Sequence, residues 1–212
     1  MTGLNIYNEK DIIKKLSFAD GSKVCFTTDT HFAHDNIIKF CQRPFESAEQ
    51  MNEYLIEQWN SCVGKDDIVF HLGDFAWGGS SVWTNILQRL NGRKVLIVGN
   101  HDVKNLRSNY HNFFEIITYQ LQIIVEGQPI YLNHYPFLAY GGSYRKEPVW
   151  QLFGHVHTCK NAHQHEGQDD KRLPMLFPFQ YDVGVDNNDY KPVNFHQVKE
   201  IITNKIENHE SK

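Results

Sequence analysis

The sequence predicts an α/β fold whose pattern changes halfway along the chain, and three observations lead there. Strand-like and helix-like runs alternate from Lys23 to Val98, paired strand-like runs follow from Phe114 onward, and five strand-like runs end on Asp, His or Asn. The alternation calls for a largely parallel sheet with crossover helices. The later hairpin pattern calls for a second, partly antiparallel sheet packed on the first.

Taken in order, Asp11 to Lys15 reads as a short helix or an edge element, and Asp20-Gly21-Ser22 as a turn into a strand from Lys23 to Thr28. That strand delivers Asp29 and His31, whose i, i+2 spacing puts both on one face of an extended backbone. His34 to Cys41 reads as a helix, and Pro44 separates it from a second helix opening at Ser47. Ser47-Ala48-Glu49-Gln50 fits a capping box, and Met51, Tyr54, Leu55, Trp59 and Cys62 fall on one apolar face that reads as core. Gly64 to Asp67 turns into a strand from Ile68 to Leu72 that ends on Gly73-Asp74.

Gly78 to Ser81 opens a helix carrying Val82, Ile86, Leu87 and Leu90, which Asn91-Gly92 stops. Neither glycine-rich nucleotide-binding pattern is present, so helix entry is the reading. Strand, helix and strand from Ile68 to Val98 form a right-handed unit, which places Asp74 and Asn100 beyond the carboxyl ends of neighbouring parallel strands, where ligands of open α/β sheets bind.

Phe114 to Val125 reads as one extended strand, and Glu126 to Pro129 turns it into a strand from Ile130 to Asn133 that ends at His134. A loop with Tyr140, Gly141, Gly142, Tyr144 and Arg145 precedes the strand Val149 to Phe153, after which come His155 and His157. His163 and His165, in the polar segment from Thr158 to Leu173, read as solvated loop histidines. Leu176 to Val185 resumes a strand, Asp186 to Asp189 is a turn, and Phe195, Val198, Ile201, Ile202 and Ile206 mark a closing amphipathic helix.

Composition sets the outer limits. With 212 residues, 41% hydrophobic and 22% charged, the chain is long enough for a substantial core, and a single domain over residues 1–212 is expected. A net charge of -4 counts against an extended duplex nucleic acid partner, and the absence of a signal peptide or a long apolar run points to a cytoplasmic protein without membrane association. Cys25, Cys41, Cys62 and Cys159 include no Cys-x-x-Cys pair and read as free thiols at packed positions.

Collected, the strand-end candidates are Asp29, His31, Asp74, Asn100, His101, His134, His155 and His157. Imidazoles with carboxylate and amide oxygens suit Mn²⁺, Fe²⁺/³⁺, Zn²⁺ or Ni²⁺. The set exceeds what one tetrahedral ion uses, so two divalent metal ions are expected, and such a pair activates water for in-line displacement at phosphorus. Any one of these histidines alone reads as a hydrogen-bonding group near a turn; the set carries the inference.

The order Asp-x-His, Gly-Asp, Gly-Asn-His-Asp, His and Gly-His-x-His, from Asp29 to His157, resembles the calcineurin-like metallophosphoesterase superfamily, in particular its small bacterial and phage phosphoesterases. That resemblance implies a four-layer α/β/β/α sandwich with metals at the strand ends. It implies that Asp29, His31 and His157 hold one ion, that Asp74 bridges, and that Asn100, His134 and His155 hold the other. It further implies that His101 faces substrate without binding metal and that Asp102 orients it, as general acid catalysis requires.

The chain departs from many members at Tyr135-Pro136, which follow His134 where others carry glycine. Trp77, Tyr135, Tyr140, Tyr144 and Arg145 form a candidate set for stacking a base or pairing with a phosphate, with Arg145 and Tyr135 the substrate-binding candidates; ordinary packing is the competing role. The expected activity is hydrolysis of a phosphodiester, small phosphomonoester or nucleotide by a metal-bound hydroxide. The alternatives are a non-catalytic metal-binding scaffold of the same fold and a nuclease for short single strands.

Overall fold

The computed structural model describes residues 16–106, 112–157 and 173–210. In chain order the elements are β1 (Leu16–Phe18), β2 (Val24–Thr27), α1 (Asp35–Phe40), α2 (Ala48–Cys62), β3 (Ile68–His71), α3 (Ser80–Arg89) and β4 (Arg93–Ile97). These are followed by β5 (Ile116–Thr118), β6 (Gln120–Val125), β7 (Gln128–Asn133), β8 (Trp150–Phe153), β9 (Gln180–Asp182), β10 (Val193–Asn194) and α4 (Phe195–Glu210). Asp11 to Lys15, His163, His165 and Cys159 lie outside the described residues.

Two mixed five-stranded sheets flanked by helices make up the fold, ordered β10-β2-β3-β4-β5 and β1-β6-β7-β8-β9. In the first, β2, β3, β4 and β5 are parallel, so three consecutive loops emerge from one edge. In the second, β7, β8 and β9 are parallel, and β6 pairs antiparallel to β7 through a two-residue turn at Glu126 and Gly127. Both turn residues have positive φ, 48° and 83°, as a twist-matched two-residue hairpin demands.

Alternation assigns each strand residue to a layer. Val24, Phe26, Ile68, Phe70, Val95 and Ile97 face the second sheet and pack with Ile123, Val125, Ile130, Leu132 and Leu152. Cys25, Val69 and Leu96, one position off, face the helices and pack with Met51, Leu55, Trp59, Trp83, Ile86 and Leu87. At about 25 cal/mol per Å² of apolar surface removed from water, these two cores supply the main driving force for the arrangement. Phe195, Val198 and Ile202 of α4 join the inter-sheet core.

The Ser47 hydroxyl caps α2 by accepting from Gln50 N, while the Gln50 side chain accepts from Glu46 N at 2.7 Å. Three expectations change. Phe114 to Val125 is not one strand: β5 closes the first sheet and β6 belongs to the second, so the segment changes sheets at Tyr119. The strand expected from Leu176 to Val185 shortens to β9, with 3-10 turns on either side. Cys25 and Cys41 are buried free thiols, whereas Cys62 is exposed.

Candidate metal centre

The carboxyl ends of β2, β3, β4, β7 and β8 converge, and hydrogen bonds tie their loops together. Asp29 N donates to Gly73 O and His31 N to Asp74 O, both at 3.0 Å, and Gly154 N donates to His134 O at 2.9 Å. Such close approach constrains side chains. A Cβ on Gly99 would collide with the Asp74 carboxylate and backbone nitrogen, and one on Gly73, where φ is +107°, would meet the Gly99 backbone.

Asp29, His31, Asp74, His155 and His157 all adopt left-handed backbone, with φ between 44° and 71°. The Asp29/His31 and His155/His157 pairs therefore converge through tight left-handed turns, and not through the extended alternation expected from their spacing. Each such residue costs on the order of 1–3 kcal/mol, and strain of this kind concentrates at functional sites.

Within the cluster, His31 Nε2 lies 3.9 Å from Asp29 Oδ1 and 3.6 Å from Asp74 Oδ2, and His157 Nε2 lies 3.8 Å from Asp29 Oδ1. On the other side of Asp74, His134 Nε2 is 3.5 Å from Asp74 Oδ2 and 3.1 Å from Asn100 Oδ1. Candidate ligand atoms of Asp29, His31 and His157, and separately of Asp74, His134 and His155, lie within 4.8 Å of one another. Bonds of about 2.0–2.2 Å to one ion place its ligands roughly 3.0–3.6 Å apart, so small contractions would close each group around a cation. Asp29 Oδ1 and His31 Nε2 are buried without a hydrogen-bond partner among the described residues, which is how ligands awaiting a cation look and how settled core groups do not. The donor set thus fits a divalent ion, with oxygens and imidazole nitrogens of the kind Mn²⁺, Fe²⁺ or Zn²⁺ accepts.

Protons are distributed accordingly. Burial raises the Asp29 carboxyl to about 6. Burial is outweighed at Asp74, where the His134 hydrogen bond keeps the carboxyl below its ordinary range, and at His134, where the same contact and the Asp29 charge lift the imidazole to about 9. His157 is held well above its ordinary value by Asp29 and Asp186 despite burial, whereas burial pushes His31 well down and His155 to about 4. A cation that binds these imidazoles and carboxylates competes with protons for the same atoms, so its affinity should fall as pH falls.

Outer contacts fix these rings. His134 Nδ1 bonds the Leu72 carbonyl at 2.8 Å and His157 Nδ1 the Asp186 carboxylate at 2.8 Å, each leaving Nε2 turned to the cluster. Asp186 is held in turn by the buried Arg43 guanidinium in a two-pronged pair, both contacts 2.8 Å, and Arg43 also donates to the Asp29 and Thr30 carbonyls. His71, neutral because burial lowers it to about 3, accepts from Gly73 N through Nδ1 and reaches the Thr30 hydroxyl through Nε2.

Three expected roles meet the structure differently. His101 is part-exposed beside the cluster, its ring 5.5 Å from His31 and its Nε2 4.0 Å from Asp74 Oδ2. Asp102 does not orient it. The Asp102 carboxylate accepts from the backbone N–H groups of Asp74, Phe75 and Gly99 at 2.8–2.9 Å, welding the β3 and β4 loops together. Arg145 is not at the centre either: the crossover from β7 returns to the start of β8 at the opposite sheet edge, where Arg145 lines a cleft with Glu126, Gln128 and Lys199. Tyr135 is at the rim, edge-on to His134 and His155 at 4.9 and 4.7 Å. Tyr140 is bound to Val149 O and Tyr144 is 84% exposed, while Trp77 stacks on His34 near His101.

Sequence reasoning missed Arg43, Asp186, His71 and His34. His71 carried a usable signal, a polar residue within the apolar run Ile68 to Leu72. Arg43 and Asp186 had none, since their significance is a contact between residues 143 apart in the chain.

The calcineurin-like phosphoesterase family profile matches residues 22–186. An uncharacterized protein of Methanocaldococcus jannaschii is 32% identical over 182 residues, covering 85% of this chain and 91% of that protein. The gene 66 protein of Mycobacterium phage D29 is 29% identical over 181 residues, covering 78% of this chain and 88% of its own. The crystal structure of a protein of unknown function from Aquifex aeolicus superposes with a TM-score of 0.64 at 26% identity, over 84% of this chain and 98% of that one.

Proposed function

The chain belongs to the calcineurin-like phosphoesterase family, and on that footing we propose that it hydrolyses phosphodiesters or small phosphomonoesters at a pair of divalent cations. Asp29, His31 and His157 would hold one ion, Asn100, His134 and His155 the other, with Asp74 shared. The observation that carries this reading is the position of Asp74 Oδ2, 3.6 Å from His31 Nε2 of one group and 3.5 Å from His134 Nε2 of the other.

Bound there, the two ions would supply Lewis acidity toward the phosphoryl oxygens and toward an attacking water. The remaining work falls to side chains. His101, part-exposed with Nε2 4.0 Å from Asp74 Oδ2, is placed to hydrogen-bond a phosphoryl oxygen or to protonate the departing alkoxide. Its backbone N–H donates to Asp74 Oδ1 at 2.9 Å, so the loop that carries His101 is anchored to the shared carboxylate. Asp102 keeps that loop against the β3 loop through three backbone hydrogen bonds.

The test is turnover of bis-p-nitrophenyl phosphate, p-nitrophenyl phosphate, cyclic nucleotides and single-stranded DNA by protein stripped of metal and then reloaded with Mn²⁺. We expect hydrolysis of a mono- or diester only after reloading. No turnover of any of them by protein shown to contain two ions per chain would reject the reading.

A further inference from the structure

Trp77 stands apart from the other tryptophans of the chain: it is 44% exposed, whereas Trp59, Trp83 and Trp150 are 7% exposed or less. A large exposed indole normally folds onto the nearest apolar surface. Here one ring face is already covered by His34, stacked at 4.6 Å with only 10° between the planes. The His34 side chain makes no capping hydrogen bond, and its ring is held by packing, 5.4 Å from that of His31 and 6.3 Å from that of His101. The Trp77 backbone is pinned as well, donating to Phe32 O at 2.7 Å. The outcome is an aromatic plate backed by His34 and still 44% exposed, 5.6 Å ring to ring from His101.

We propose that Trp77 is a stacking platform for the base of a nucleoside phosphate, with His34 as its backing; this deepens the phosphoesterase reading and rests on it. The spacing favours a nucleoside over a simple aryl ester. Trp77 meets the rings of His34 and His101, which in turn meet His31 at 5.4 and 5.5 Å, so a base stacked on Trp77 would lie beside the cluster, with other atoms of the ligand between it and a phosphate there. In an aryl phosphate the ring is bonded directly to the ester oxygen and would lie over the cluster itself. Stacking on an aromatic side chain tolerates any base, so the site would select for the presence of a base more than for its identity. Tyr135, on the opposite flank against His134 and His155, meets those rings edge-on and is not braced in this way.

The test compares two ligands that contain no cleavable ester: the phosphonate of thymidine in which carbon replaces the 5′ ester oxygen, and the same sugar phosphonate without the base. Both are titrated calorimetrically into Zn²⁺-loaded protein, with indole fluorescence followed in parallel. We expect the thymidine compound to bind at least ~5-fold tighter and to quench fluorescence, the range that removal of a base-stacking side chain usually spans. Trp77→Ala should abolish the preference. Trp77→Phe, which keeps a ring in place, should retain most of the preference and lose the quenching, because the other tryptophans are buried. Equal affinity for the two ligands in wild type, quenching that survives Trp77→Phe, or binding of neither ligand by protein that cleaves bis-p-nitrophenyl phosphate would overturn the platform while leaving the phosphoesterase intact. Binding of neither ligand, together with no cleavage of any phosphoester, would bring down the underlying reading.

Discussion

The two halves of the ligand cluster are built from similar side chains but held in different ways. Asp29, His31 and His157 sit in the β2 and β8 loops behind α1 and α2, with Asp29 and His31 buried and every loop tied to a buried side chain. Arg43 grips the Asp29 and Thr30 carbonyls and the Asp186 carboxylate, and Asp186 fixes His157. In the other half Asn100 and His155 are exposed, and His134 is held through a backbone carbonyl. Tyr135 lies edge-on to the rings of His134 and His155, and His134 is buried, so the exposure of this half lies at Asn100 and His155. A braced half keeps its geometry whatever binds next to it; an open half can exchange water and substrate. On the two-cation reading, the cluster would combine a permanent anchor with a working face, joined at Asp74.

The largest effect should come from breaking the join. Asp74→Asn replaces the carboxylate that lies within 3.6 Å of an imidazole nitrogen in each half, and we expect turnover to fall at least ~100-fold with metal lost from both; elemental analysis of the purified variant reads the second part. Loss of a single ion would mean that the halves do not share Asp74. His101→Ala should lower turnover by about 10²- to 10⁴-fold with both ions retained, because a general acid is removed and no ligand is touched. Loss of metal in that variant would place His101 among the ligands.

Next in size is the brace. Arg43→Met leaves the buried Asp186 carboxylate, which the guanidinium holds well below the ordinary range, without its main partner. Removing one member of a buried pair costs about 3–5 kcal/mol, so the melting temperature should drop sharply. Asp186→Asn keeps shape and hydrogen-bonding capacity but removes the charge behind His157, and should weaken metal binding by about 10- to 100-fold in the braced half alone. Titration calorimetry that shows two unequal sites in wild type, with only the tighter one weakened in Asp186→Asn, would sharpen the contrast; equal weakening of both would erase it.

How much of this was legible in the sequence follows from the range of the signals. The convergence of the Asp, Asn and His candidates could be read because each ends a strand run, and strand runs are local patterns. The α2 cap at Ser47 was legible for the same reason, as were Met51, Leu55 and Trp59 of the apolar stripe, whereas its other members, Tyr54 and Cys62, are exposed. The switch of sheets at Tyr119 was hidden because β5 and β6 are both apolar and extended, with one residue between them. Arg145 was misplaced because periodicity does not reveal which edge of a sheet a crossover loop returns to. Asp102 was misread because adjacency to His101 in sequence says nothing of where its carboxylate points; three backbone N–H groups had claimed it. Arg43 and Asp186 were invisible, since each looked like the polar punctuation of a turn.

The smallest effect tests the open half. His155 is exposed, and its ring contacts are with His134 and Tyr135, so His155→Ala removes little packing. Exposed substitutions of this kind change stability by about 0.5 kcal/mol or less, and the melting temperature of the metal-free variant should match that of metal-free wild type. Metal should tell the proteins apart. Wild type gains stability from each ion in proportion to the logarithm of its concentration over its dissociation constant, whereas His155→Ala should keep the gain from the braced half and lose that from the open one. A variant that melts early without metal would show His155 to be a packing residue, and one that gains as much from metal as wild type would remove it from the ligand set.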